Sequence, residues 1–479
     1  TGMTDSSGSS LTLSRREVLQ TTGVAVSAVT LQSGIAMGQT DDRELWTFET
    51  GGAVRSSPTV VDGRVYFGSD DSNMYSVDAE TGDQEWSIST GPTSDVDVIQ
   101  SPTVVDETVF LGAEGTTLYS VDAKTGDTLY TVNDGSFPTT ATVADGTVYV
   151  GSNNYDYEDN SEGLLAVDAG SGSVQWAIES NDPYLTPTVA NGTIFVSISP
   201  NNNSEYKLSA VDAATGNNQW NFKVSDPLAR ASTVADGTAF VGCGDGNLYA
   251  VDAATGEQQW SFDSGNRISS VPTVFNETVF VGSGGSLYAL DTATGDQRWF
   301  FDPDAYASSS PTVVGGTVFV GTGTPSGGEL YSIDANTGTQ RWSFETANDA
   351  ISSPTVFNGT VYFGSNDGNL YALDTDTDGS SEGSRVTLGT LGHHSNWQYA
   401  NQSFRASSST QQESTEASRS SGPEISTSLT SDVSTSSASE TNGGDSTGAS
   451  TPGFGVSSGV VAIGTTGYIL KRRLTNTSE

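Results

Sequence analysis

The chain is poor in the side chains that do most protein chemistry. Among its 479 residues there is one cysteine and two histidines. Cys243 alone cannot form an intrachain disulfide, and in "TAFVGCGDG" it reads as a small buried residue of a strand. The histidines, His393 and His394, are adjacent, so the body of the chain has none. That excludes most metal centres and any Ser-His-Asp triad there. Positive charge is scarce too: 18 Lys and Arg stand against 58 Asp and Glu, for a net charge of −40. Such a balance excludes nucleic acid and anionic membrane surfaces as partners, because both repel carboxylates.

An acidic, lysine-poor, Gly/Ser/Thr-rich composition resembles that of proteins from salt-loving archaea. Carboxylates hold water and ions, and molar salt shortens the screening length to about 3 Å.

The two ends carry address-like patterns. "SRREVLQ", with Arg15 and Arg16 before a weakly apolar stretch, resembles a twin-arginine export signal. Val18 and Gln20 depart from the usual Phe and Lys. Residues 1–39 are therefore expected to be a removable signal peptide. Residues 405–451 are rich in Ser and Thr with almost no large apolar residues, cannot bury a core, and read as a disordered stalk after a short segment, 377–404. Residues 452–473 follow as Pro452-Gly453-Phe454, an apolar span to Leu470, and Lys471-Arg472-Arg473. That order resembles the archaeal PGF-type sorting signal, which an archaeosortase processes. An ordinary C-terminal membrane helix is the alternative. Both readings place the protein outside the cell on a membrane tether.

The middle of the chain is one phrase repeated. "VDAATGNNQW" begins at Val211 and "VDAATGEQQW" at Val251. Copies of Asp-x-x-[Thr/Ser]-Gly start at Asp78, Asp122, Asp168, Asp212, Asp252, Asp291 and Asp334, with a worn copy at Asp374. A period of about forty residues signals a propeller or another repeat array. Each period holds four short runs rich in Val, Tyr and Phe, separated by Asn/Asp-Gly turns, which is one propeller blade. The aromatic strand occurs eight times, at Trp46, Trp86, Tyr130, Trp176, Trp220, Trp260, Trp299 and Trp342. Trp46 has no docking turn before it, and the turn at Asp374 has no aromatic strand after it. The two defects complement one another. "LWTFET" is expected to complete the last blade and close the ring, leaving no raw sheet edge. The predicted fold is all-β: an eight-bladed propeller of four-stranded blades over about residues 44–376.

The blade phrase resembles the tryptophan-docking repeat of the pyrroloquinoline-quinone (PQQ)-like propellers. That resemblance implies structural roles for Trp86, Trp176, Trp220, Trp260, Trp299 and Trp342, packed against Thr-Gly turns. It also offers two kinds of function. Some members are dehydrogenases holding PQQ and Ca²⁺; others are non-enzymatic scaffolds. A single cysteine cannot make the adjacent-cysteine disulfide of the dehydrogenases, and the blades lack long insertions. No cofactor is therefore expected, PQQ least of all. The expected function is a surface scaffold or binding propeller presenting an axial face to a protein or glycan. The alternatives are a PQQ-dependent dehydrogenase and a purely structural envelope component.

Candidate site residues fall in the segments that enter each innermost strand. Arg55, Arg230 and Arg267 occur there, with Gln100, Tyr184 and Tyr306. Converging guanidiniums would bind a carboxylate, a sulfate or an acidic sugar. "DTDTDGSSE" resembles a calcium loop, with Asp374, Asp376, Asp378 and Glu382 as ligands, although it is also a worn docking turn. Among Asn-x-Ser/Thr sites, Asn202 and Asn401 are the expected glycan acceptors, because Asn191-Gly192 and Asn358-Gly359 already suit hairpin turns.

Overall fold

The computed structural model describes residues 42–90, 100–113, 117–133, 139–151, 162–180, 182–199, 205–305, 307–324, 327–350 and 352–381. The expected signal peptide, stalk and PGF segment, with Glu382, Asn202, Asn401 and Tyr306, lie outside the described residues. Among the described residues no helix is long and apolar enough to cross a membrane.

Eight antiparallel sheets are present. Blades 1 to 7 span residues 59–89, 103–133, 142–179, 188–224, 233–263, 273–301 and 307–346. Blade 8 takes Thr355–Phe357, Thr360–Gly364 and Asn369–Asp374 from one end of the described chain and Glu44–Glu49 from the other. The N-terminal strand pairs with the third strand of that blade from Glu44↔Leu373 to Glu49↔Asn369. Blade 7 carries an extra two-residue strand, Ala307–Ser308, beside Thr322–Gly323.

The core lies between blades, not within one. Eight apolar clusters form, one for each blade-to-blade interface; at the seam, Val60, Val65 and Phe67 of blade 1 meet Tyr362, Leu370 and Ala372 of blade 8. A second strand such as Arg64–Ser69 is covered on both faces, which is why its sequence is a continuous apolar run and does not alternate. The outermost strands alternate, with one face against the neighbouring blade and the other toward solvent.

Two hydrogen-bond rings join the blades. In the outer ring, Trp86 Nε1 donates to the Ala123 carbonyl at 3.0 Å, and Trp176, Trp220, Trp260 and Trp299 donate equivalently to Ala213, Ala253, Thr292 and Ala335. Trp46 does the same to Ala79 at 3.2 Å, and the Tyr130 hydroxyl to Ala169 at 2.8 Å. Each indole or phenol ring also lies against the glycine of the next Thr-Gly turn. A Cβ on Gly256 would sit 2.6 Å from Trp220, and φ there is +77°, so only glycine fits.

The inner ring is threonine. Thr59, Thr103, Thr142, Thr188, Thr233, Thr273 and Thr312 each donate Oγ1 to a carbonyl of the next blade, at 2.5–2.7 Å. Thr355 donates to Pro58 at 2.6 Å and completes the circle. All eight are buried. At about 1 kcal/mol net for each such bond, the belt is a sizeable fraction of ordinary domain stability.

The seam replaces one docking turn with a cation. In intact repeats the Asp78 N–H donates to Asp83 O at 2.9 Å; at the seam the Asp374 N–H donates to Arg43 O at 2.9 Å. Among the described residues no Thr-Gly turn reaches Trp342. Instead the Arg43 guanidinium lies 4.9 Å from the centre of the Trp342 ring and pairs with Asp376.

Candidate functional site

The ring has two faces of different character. One is built from the turns between first and second strands and the docking turns between third and fourth. Each first turn has two residues, all with positive φ, from Asp62-Gly63 (50° and 75°) to Asn358-Gly359 (47° and 79°). That geometry is the type I′ hairpin, which favours Asn/Asp-Gly. Asn191, Asn276 and Asn358 are thus turn residues. The two sets of turns bond to one another in every blade, as Ala79 N–H to Gly63 O at 2.8 Å. This face is constant.

The opposite face carries the connectors between second and third strands and those from one blade to the next. The former range from two residues, 284–285, to ten, 152–161; the latter, counted to the strand that begins with the belt threonine, from eight, as at 225–232, to thirteen, 90–102. This face is variable, and the candidate residues lie on it.

The structure does not treat those residues alike. Counted back from the belt threonine, Arg55 and Tyr184 stand four positions before it, Gln100 and Arg230 three, and Arg267 six. The three arginines are therefore not equivalent in the repeat. Arg55 is also engaged: it pairs with Asp70 at 3.1 Å and its Nε donates to Asn366 Oδ1 at 3.1 Å. The connectors of blades 1 and 8 supply both partners, so Arg55 bridges the seam and does not converge with the other two. Gln100 is buried and accepts from the Thr140 hydroxyl at 3.3 Å. Tyr184 is buried in the interface of blades 3 and 4, and burial raises its phenol pKa. Neither side chain is presented to solvent.

Arg230 and Arg267 are exposed. Three positions before the belt threonine, blades 1 and 6 place a serine that bonds within its own sheet, Ser56 Oγ to Gly68 O at 2.8 Å and Ser270 Oγ to Gly282 O at 2.8 Å. In blade 5 the residue bonded to the matching glycine, Gly242, is Ala229, one position earlier, and Arg230 after it is exposed. Cys243 lies beneath this corner, wholly buried, with its thiol pKa pushed up to about 11 by burial.

Of the expected calcium ligands, Asp374, Asp376 and Asp378 are described and Glu382 is not. Asp376 is the partner of Arg43, and the Asp374 carboxylate accepts the Asp376 N–H at 2.9 Å. Among the described residues no three Asp, Glu, His or Cys side chains come together as a metal-binding group. Residues 375–381 instead run inward across the constant face. The Gly359 N–H donates to Gly379 O at 3.1 Å, and the Ser381 N–H donates to Val356 O at 2.7 Å on the innermost strand of blade 8. Arg43 and this crossing were not readable from motifs, because each exists only once the ring has closed.

Fold and seam together define an eight-bladed repeat propeller with one structural face and one variable face. A family model described as outer membrane protein assembly factor BamB matches residues 13–202, 134–261, 204–323, 244–380 and 286–417, and the chain belongs to that PQQ-like repeat family. Among solved structures, BamB from Moraxella catarrhalis is 18% identical with a TM-score of 0.56, over 69% of this chain and 97% of that one. Quinohemoprotein alcohol dehydrogenase from Comamonas testosteroni is 16% identical, with a TM-score of 0.56 over 70% and 77%. The computationally designed Ika8 protein is 15% identical, with a TM-score of 0.59 over 69% and 99%. At these identities the likenesses establish the fold. No curated protein matches the chain significantly.

Proposed function

We propose that this protein is a non-enzymatic binding or scaffold propeller, held at the cell surface, that presents its variable face to a protein or glycan partner. One observation carries the reading: the two faces differ in what they are free to do. Arg43 and residues 375–380 lie at the constant face, where the docking turns are already engaged blade to blade. The variable face carries the connectors of unequal length and the exposed Arg230 and Arg267. Recognition concentrates on loops held by a rigid scaffold. Membership of a family described by an assembly factor supports the scaffold role. Export by the twin-arginine route and tethering through the tail are part of the proposal.

The alternative, a PQQ-dependent dehydrogenase, shares the propeller with the quinohemoprotein structures. Titration of the full chain with PQQ and Ca²⁺ in molar KCl, followed by tryptophan fluorescence and dye reduction, separates the two. The scaffold reading expects neither saturable binding nor reduction. Micromolar, Ca²⁺-dependent PQQ binding with dye reduction would replace it with the enzyme.

A further inference from the structure

Five of the seven described arginines hold a carboxylate: Arg43 with Asp376, Arg55 with Asp70, Arg64 with Glu85, Arg298 with Asp291 and Arg341 with Asp334. In a chain with 58 acidic side chains that is the expected condition of a guanidinium. Arg230 and Arg267 have no ion pair among the described residues, and both are exposed.

They also share one corner. The Ala229 N–H donates to Gly242 O at 2.7 Å, and the Ile268 N–H donates to Cys243 O at 3.0 Å. These are consecutive carbonyls at the end of Thr238–Gly242. One arginine follows the first anchor and the other precedes the second, so the connectors entering blades 5 and 6 bring them to the same strand end. Gly242 makes the approach possible, since a Cβ there would lie 2.2 Å from Ile268 Cγ2.

The nearby carboxylates accept local hydrogen bonds, and among the described residues none pairs with either arginine. Asp226 accepts from Ser225 Oγ at 3.0 Å, and Asp263 from the Gly265 N–H at 2.8 Å. Asp245 accepts from the Asn247 N–H at 2.9 Å and the Tyr249 hydroxyl at 2.6 Å. Burial pushes the Asp245 carboxyl up, but those donors outweigh it and hold it ionised below the usual range. The exposed neighbours Asn266 and Ser269 are neutral hydrogen-bonding groups. The large exposed apolar residues Leu45, Leu129, Val174 and Phe300 all belong to outermost strands, not to these connectors.

We propose that Arg230 and Arg267 form a recognition site for the carboxylate of a uronic-acid saccharide; this rests on the variable face being the binding face. The guanidinium fork donates two parallel N–H bonds to a planar carboxylate. Asn266 and Ser269 suit sugar hydroxyls, whereas a peptide partner would call for an apolar anchor that this corner lacks. The net charge of −40 repels anions at long range, so the contact works at short range in high salt, where that field is screened.

Calorimetry on the full chain in molar KCl tests this with trigalacturonate, free galacturonate, a neutral trigalactoside and a glutamate-rich peptide. The expected result is saturable binding of the uronates, at least about tenfold tighter than the neutral sugar. Tighter trigalacturonate marks a glycan chain as the source, and equal affinities mark the free acid. Arg230→Gln and Arg267→Gln should each weaken binding by about tenfold, while Lys207→Gln leaves it unchanged. Circular dichroism on each variant confirms folding. Equal binding of acidic and neutral sugars, wild-type affinity in the folded double variant, or no uronate binding by folded wild type would overturn the site. So would preferential binding of the acidic peptide, which would assign the corner to a protein. None of these results bears on PQQ binding or dye reduction, so this site can fail while the scaffold reading stands.

Discussion

The two faces of the ring are made from the same repeat, yet only one repeats its turns at constant length from blade to blade. On the constant face every first turn has two residues, every docking turn bonds to it, six Thr-Gly turns lie against a tryptophan and the Ser171-Gly172 turn lies against Tyr130. On the variable face the connectors differ in length fivefold within one class, and their polar groups are satisfied case by case. Repetition marks where blades must grip one another, and departure from it marks the face on which the proposed binding role rests.

The largest break of that contrast is at closure. A chain beginning after Glu49 loses the outermost strand of blade 8, the Trp46 contact with blade 1 and the Arg43 cover of Trp342. Urea unfolding should show a loss of more than about 4 kcal/mol. A change under about 1 kcal/mol would mean that the seam contributes little.

Next come glycines of the constant face that share φ but not surroundings. Gly256→Ala drives a Cβ to 2.6 Å from Trp220, whereas Gly237→Ala, with φ +78°, meets nothing within 4 Å. The first should cost about 2–4 kcal/mol and the second about 1 kcal/mol in the same assay. Equal costs would show that backbone strain alone is at work and that the docking contact is not.

Acid should loosen the constant face in a graded way. The Asp122 and Asp252 carboxyls are held low chiefly by backbone N–H groups of Thr125 and Thr255, and Asp168 by the Ser171 hydroxyl. Arg298 and Arg341 do the same for Asp291 and Asp334. A carboxyl with a lowered folded pKa adds stability that is complete above its usual value, about pH 4, and is lost as pH falls through the lowered folded value. The thermal midpoint should be flat just above the usual value and decline below it. A midpoint that rises on acidification would contradict the role given to these turns.

The smallest effects belong to the variable face. Arg230→Gln and Arg267→Gln should each leave stability within about 0.5 kcal/mol of wild type, as surface changes do. A larger loss in either would mean that the corner is structural.

Much of the fold was legible because it is written in local chemistry. Asn/Asp-Gly pairs announce type I′ turns, and the lone Trp46 with the tryptophan-less turn at Asp374 announces the closure. The threonine belt lies in every "Pro-Thr" or its variant, but no local pattern marks it, because Thr59 and Pro102 become partners only in the ring. The site was less legible for the same reason. Three arginines in entry segments look alike in the chain, but Asp70 and Asn366, which engage Arg55, come from connectors of two blades far apart in sequence. Asp374-x-Asp376-x-Asp378 has the spacing of a cation loop, and the pairing of Asp376 with Arg43 from the other end of the domain could not be read from it.

The most direct measurement of the central claim is photocrosslinking from both faces on cells that carry the protein. A photoreactive side chain is placed at exposed Ser269 on the variable face or at exposed Glu80 in a docking turn of the constant face. The account predicts a specific adduct, protein or glycan, from position 269 and none from position 80. The same adduct from position 80, with none from position 269, would contradict it.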